Sequence, residues 1–181
     1  MATGNIHLIT GPMFSGKTTE LARLIRRFII SGRKCIIIKH CSDTRYAEEN
    51  LEAIYTHDKI SMKALSSNNL LTLIPELDKY DVIGIDEGQF FDDLVDFSEA
   101  MANRDKKVII AALNGNFKRE LFGNVFKLLP LTETITSLTA ICSICKQEAS
   151  FSKRITEDTE VKLIGGKEVY TAVCRKCFFK R

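Results

Sequence analysis

Apolar runs set between polar turns pace the first three quarters of the chain. Asn5-Ile-His-Leu-Ile-Thr10 is short and apolar and predicts a buried strand. After it, Leu21, Leu24, Ile25, Phe28 and Ile29 recur at helical spacing until Gly32. Lys34–Lys39, centred on Cys35-Ile-Ile-Ile38, predicts a second strand. The polar stretch from His40 to Ser61 has no period and predicts a loop. Leu70, Leu71, Ile74 and Leu77 predict a short helix. Asp81-Val-Ile-Gly-Ile-Asp86 predicts a third strand, and Leu94, Val95, Phe97, Ser98 and Met101 another helix. A fourth strand follows at Lys107–Leu113. Apolar strands alternating with amphipathic helices predict an α/β fold, a parallel sheet covered by helices on both faces. Past Leu138 the pattern changes to short β-type runs and turns. A boundary is expected there, with an α/β part at 1–137 and a small β part at 138–181.

Composition adds limits. The 181 residues are 45% hydrophobic with a net charge of +3. That suits a globular chain and gives no reason to expect a nucleic-acid or membrane partner. No apolar run reaches the length of a membrane span, and no secretory pattern follows Met1. A cytoplasmic protein with reduced cysteines is expected. Of the six cysteines, Cys35 and Cys41 stand alone. The other four form two pairs, Cys142-x-x-Cys145 and Cys174-x-x-Cys177. Each pair puts two thiolates on one turn, and two such turns complete a tetrahedral zinc site. Four protein ligands leave no open position, so the Zn2+ is expected to be structural. The gap between the pairs is longer than a usual ribbon spacing and predicts an extra loop.

Two further segments carry chemistry. Gly11-x-x-x-x-Gly16-Lys17-Thr18 has the form of a phosphate-binding loop and lies between a predicted strand and helix. Backbone N–H groups from Gly11, Pro12, Met13, Phe14, Ser15 and Gly16, save the proline's, would wrap the phosphates of ATP. Lys17 would reach the β- and γ-phosphates, and the Thr18 hydroxyl would ligate Mg2+. The third strand ends in Asp86-Glu87. Asp86 suits the second magnesium ligand. Glu87, one residue on, points elsewhere. It could accept a proton from an acceptor hydroxyl or, in an ATPase, from water.

The words between these features add more. Ile9–Thr18, Asp43-Thr-Arg-Tyr46, Thr56-His-Asp58, Val82–Phe91, and Ile164-Gly-Gly166 before Tyr170 occur in this order. From about Asn5 to Phe178 the chain resembles the type II thymidine kinases of animals, bacteria and poxviruses. The resemblance implies a P-loop (RecA-like) parallel sheet with a C-terminal zinc ribbon carrying a lasso loop. It implies transfer of the ATP γ-phosphate to the 5′-hydroxyl of thymidine, with Glu87 as general base. Asp86, Gly88 and Gln89 would form the magnesium segment, and Asp43, Thr44 and Arg45 would bind the donor. Phe117 would lie against the base, with Met13, Phe90 and Leu113 lining the same pocket. Val161, Lys162, Leu163, Ile164 and Gly165 would read the base edge, with Tyr170 near sugar and base. It further implies a homotetramer or dimer, inhibited by thymidine triphosphate. The family usually has Leu-Asp-Gly-Thr-Phe and Arg-Lys-Pro-Phe where this chain has Leu113-Asn-Gly-Asn-Phe117 and Arg119-Glu-Leu-Phe122. These departures predict a looser turn.

Two other functions are compatible with the motifs alone. A nucleic-acid-stimulated ATPase would need a basic stripe on the zinc ribbon. Lys146, Lys153, Arg154, Arg175, Lys176, Lys180 and Arg181 are candidates, but Glu148, Glu157, Asp158, Glu160 and Glu168 interrupt them. A deoxynucleoside monophosphate kinase would need extra arginines about a second phosphate, and no such cluster is visible.

Overall fold

A computed structural model describes residues 4–42, 53–55, 61–161, 163 and 165–180. Strand β1 (Asn5–Gly11) runs through a tight loop into helix α1 (Lys17–Ile30). The helix stops where Gly32 takes φ 83°. There the Gly32 and Arg33 N–H groups donate to Ile29 and Phe28 carbonyls, a Schellman ending. β2 (Cys35–His40) follows. The stretch expected to be a loop contains β3 (Ala53–Tyr55), paired antiparallel with β4 (Ser61–Lys63) just beyond it. β5 (Leu65–Ser67) joins the edge of β2. A 3₁₀ turn at Leu71–Leu73 continues into α2 (Ile74–Leu77). Then come β6 (Val82–Ile85), α3 (Leu94–Ala102) and β7 (Lys107–Leu113). A 3₁₀ segment, Val125–Leu131, leads to β8 (Thr134–Ser137).

These strands make a six-stranded sheet in the order β5-β2-β6-β7-β1-β8. Every pairing in it is parallel. Alternate side chains leave opposite faces. Ile6 and Leu8, Ile38, Ile83 and Ile85, and Val108 and Ile110 pack with Leu94, Phe97 and Met101 of α3. Ile9, Ile37, Val82, Ile109 and Ala111 face the other way, onto Leu21, Leu24 and Ile25 of α1. The continuous apolar runs that defined the strands are the consequence of this two-sided burial.

Beyond residue 138 the strands pair among themselves. β9 (Ala140–Ile141) is antiparallel to β10 (Glu148–Ala149), and β11 (Phe151–Arg154) to β12 (Tyr170–Val173). α4 (Arg175–Phe178) follows. Their small core of Ala140, Ala149, Ala172 and Val173 includes the buried Cys142 and Cys177. Phe14 of the β1–α1 loop packs on this core as well. The extra loop expected between the cysteine pairs is residues 155–169, joining β11 to β12.

Candidate active site

In a parallel sheet with helices on both faces, the carboxyl ends of the strands share one edge, and ligands bind there. β1, β6 and β7 deliver the candidate residues to that edge. At the end of β1, Gly11 passes so close to Leu138 that a Cβ would lie 2.6 Å from its carbonyl oxygen. Gly16 takes φ 82° at the start of α1, in the left-handed region that glycine adopts without penalty. Between them Met13 N–H donates to Ser152 Oγ of β11 at 2.9 Å. The loop is therefore shaped by its own glycines and tied to the C-terminal strands. Lys17 is buried, and its Nζ donates to the Pro12 carbonyl at 2.7 Å.

β6 ends at Ile85, and the two carboxylates lie past it. The Thr18 hydroxyl lies 3.1 Å from both Asp86 oxygens. A hydroxyl and a carboxylate brought together at the foot of the phosphate loop are hard oxygen donors, and they fit magnesium. Glu87 has left the strand and takes φ 53°. That conformation costs a non-glycine residue roughly 1–2 kcal/mol. The Glu87 carboxylate accepts from Gln89 Nε2 at 2.5 Å, while Gln89 Oε1 accepts from the Leu113 N–H at 3.0 Å. Glu87 and Gln89 are both buried. One amide thus fixes the Glu87 carboxylate against the end of β7.

Glu87 and Gln89 form one wall of a cleft. Met13, Phe90, Leu113, Phe117 and Tyr170 line it, and Val161, Leu163 and Gly165 close one side. Apolar and aromatic walls with a few convergent polar groups are the usual form of a small-molecule site. Phe122, which the sequence did not single out as a site residue, also lines it, as does Asn116 of the turn that departs from the family pattern. Asp43, Thr44, Arg45, Lys162 and Ile164 lie outside the described residues, as does Thr56-His-Asp58.

The turn expected to be loose at 114–121 is well tied. Asn116 Oδ1 accepts from the Lys118 and Glu120 N–H groups at 2.9 and 3.0 Å. Asn116 Nδ2 donates to Glu120 at 3.1 Å, and Asn114 Nδ2 to the Ser150 carbonyl, also at 3.1 Å. Short amide side chains that bond their own turn replace the proline's constraint. The Arg119 guanidinium then sits 4.5 Å from the Phe179 ring centroid and 4.8 Å from that of Phe178, within cation–π range.

The four cysteines of the two pairs converge, their sulfurs all within 4.8 Å of one another. Cys145 and Cys174 sulfurs are 3.6 Å apart. Burial raises the Cys142 thiol, but N–H groups of Cys145, Cys174 and Ile144 outweigh it and bring it to about 6. Burial and the neighbouring thiols push Cys177 up to about 12. A compact set of four converging sulfurs is a donor set suited to tetrahedral zinc.

The supposed basic stripe is dispersed. Arg154 is buried, Lys153 Nζ donates to the Phe178 and Lys180 carbonyls, and Arg175 lies over Phe151. Arg181 lies outside the described residues.

The thymidine kinase family profile matches residues 4–178. The chain belongs to the thymidine kinase family. It is therefore an enzyme of the kinase class. It is 64% identical to the thymidine kinase of Fowlpox virus (strain NVSL) over 181 residues, covering 99% of each chain. It is 50% identical to the Sheeppox virus (strain KS-1) thymidine kinase over 179 residues, again covering 99% of each. With the Vaccinia virus (strain Western Reserve) thymidine kinase it shares 50% over 178 residues, covering 98% of each. Family membership spans both the sheet and the cysteine-bearing segment. Among the described residues no helix is long and apolar enough to cross a membrane.

Proposed function

We propose that this chain transfers the γ-phosphate of ATP to the 5′-hydroxyl of thymidine, giving thymidine monophosphate. The observation that carries the reading is one cleft with the Glu87 carboxylate in its wall, beside Met13 of the phosphate loop and facing aromatic side chains. A nucleoside there would present its sugar toward Glu87 and its base toward Phe117 and the 161–165 segment. Glu87 would take the 5′-hydroxyl proton as the new P–O bond forms. Its hydrogen bond from Gln89 holds the accepting oxygens in place. Lys17 and the loop N–H groups would hold the donor phosphates. Thr18 and Asp86 would hold Mg2+, which offsets phosphate charge when bound, with Gly88 and Gln89 completing that segment. Asp43, Thr44 and Arg45 would serve the donor.

Val161–Gly165 would read the base edge, and Tyr170 would meet the sugar and base. The four cysteines would hold one structural Zn2+, anchoring both ends of the 155–169 loop. Closing that loop would keep water from competing as acceptor. We place the unit boundary at 137/138, with the chain working in the cytoplasm as a homotetramer or dimer. Deoxyuridine would be tolerated. Thymidine triphosphate would inhibit by occupying the nucleoside cleft with its phosphates toward the P-loop.

The test is steady-state ATP consumption with thymidine, thymidine monophosphate or single-stranded DNA, each alone. Turnover with thymidine is expected. Stimulation by DNA alone, or by the monophosphate alone, would overturn the reading.

A further inference from the structure

Arg154 ends β11 beneath the 155–169 loop, and its side chain is 3% exposed. Its ion pair is long, with Asp158 Oδ1 at 3.9 Å. Its short bonds go elsewhere. Nη1 donates to the Asp158 and Glu160 carbonyls at 2.9 and 2.5 Å. Nη2 donates to the Tyr170 hydroxyl at 2.5 Å, and that hydroxyl donates to the Leu163 carbonyl at 2.7 Å. The guanidinium carbon also lies 3.9 Å from the Phe117 ring centroid. One buried cation thus touches both sides of the cleft: the ring on the 114–121 turn, and the loop opposite it.

Desolvating a cation is costly, and an ion pair of 3.9 Å offsets little of that cost. Arg154 Nε is also buried with no hydrogen-bond partner among the described residues, a further cost. What the guanidinium supplies is geometry. Its planar fork can grip two carbonyls and a hydroxyl while stacking on a ring, which neither lysine nor an apolar side chain can do. The donor chain runs one way, from guanidinium to phenol to carbonyl, so each bond polarises the next.

We propose that Arg154 is a positioning residue that sets base selectivity, holding the Leu163 segment and Phe117 at a fixed separation across the cleft. This rests on the nucleoside-kinase reading above. A pyrimidine fits between ring and loop only if that spacing is kept. A carbonyl held by Tyr170 cannot swing to suit a base with a different edge.

The test compares Arg154→Met, Arg154→Lys and Tyr170→Phe with the wild-type chain. The readouts are kinetics on thymidine and deoxycytidine, the KM for ATP, zinc content, and hydrogen exchange of peptides covering 155–169. Arg154→Met is expected to raise the thymidine KM roughly 10- to 100-fold and to lower the thymidine-to-deoxycytidine preference by a similar factor. ATP KM and zinc content should stay within about twofold. Arg154→Lys keeps the charge without the fork and should not rescue. Tyr170→Phe removes only the middle hydroxyl and should shift both readouts in the same direction by less. All three should speed exchange in 155–169.

If Arg154→Met does not fold, the other two variants decide. Wild-type thymidine KM and selectivity in Arg154→Lys and Tyr170→Phe overturn the proposal. So does a loss in which thymidine and deoxycytidine efficiency fall together and ATP KM rises with them. A wild-type chain that ignores thymidine refutes the kinase reading instead. Exchange in 155–169 then still reports whether Arg154 holds the loop.

Discussion

Glu87 illustrates how a single side chain is placed by forces outside its own segment. Its left-handed backbone turns it off the line of β6, and the Gln89 amide pins it against the end of β7. Glu87→Gln keeps the size and removes the base. Turnover should fall about 10²- to 10⁴-fold while ATP binding persists, checked by single-turnover rates beside equilibrium nucleotide binding. Near-normal turnover would remove Glu87 from the role. Gln89→Leu tests the support. It leaves the buried Leu113 N–H without its acceptor, at a cost of about 1–3 kcal/mol in stability. It also frees Glu87, so kcat should fall more than thymidine KM rises. Denaturation and kinetics on the same variant measure both.

At the scale of elements, two kinds of stabilisation divide the chain. The sheet rests on burial. Phe97 of α3 is fully buried among strand side chains, and Phe97→Ala should cost about 3–5 kcal/mol, read from the denaturant midpoint. The C-terminal strands are two to four residues long with a small core. That is too little to order them without a cross-link. Purified protein should hold one tightly bound zinc per chain. Chelation, or Cys174→Ser, should disorder 138–181 and abolish thymidine turnover, while the P-loop still binds ATP. Metal analysis and proteolysis would show it. Substoichiometric zinc with all four thiols reactive in the active enzyme would exclude a structural ion.

For the whole molecule, the arrangement of three segments around one cleft predicts specificity. Thymine presents acceptor, donor and acceptor along its edge; cytosine reverses two of these. A loop reading that edge with backbone groups cannot rotate to match. Each mismatch leaves buried polar groups opposed, at about 1–3 kcal/mol. Deoxycytidine should therefore be rejected strongly. Deoxyuridine lacks only a methyl, worth about 1 kcal/mol, and should remain a substrate. Purines should be too large for a cleft walled by Phe117. Competition among the four natural deoxynucleosides and deoxyuridine measures this, and comparable efficiency on deoxycytidine would mean the base wall is misassigned.

The sequence by itself determined the strands and helices whose signal is local. β1, β2, β6 and β7 are buried on both faces over most of their length, so apolar side chains dominate both faces. The β1–α1 loop was legible because Gly16, Lys17 and Thr18 are consecutive residues between strand and helix, and the cysteine cluster because each pair spans one turn. Tertiary structure decided what depends on a distant partner. β5 and β8 are polar edge strands, with Ser66, Ser67, Thr134 and Thr136 among their residues. They exist only because β2 and β1 offer them unpaired backbone groups. The firmness of the 114–121 turn was illegible too, since Asn114 finds Ser150 and Arg119 finds Phe178 and Phe179 only after folding. Arg154 reads in sequence as one more surface cation beside Lys153. Only the fold buries it, because a strand one residue out of phase would point it to water.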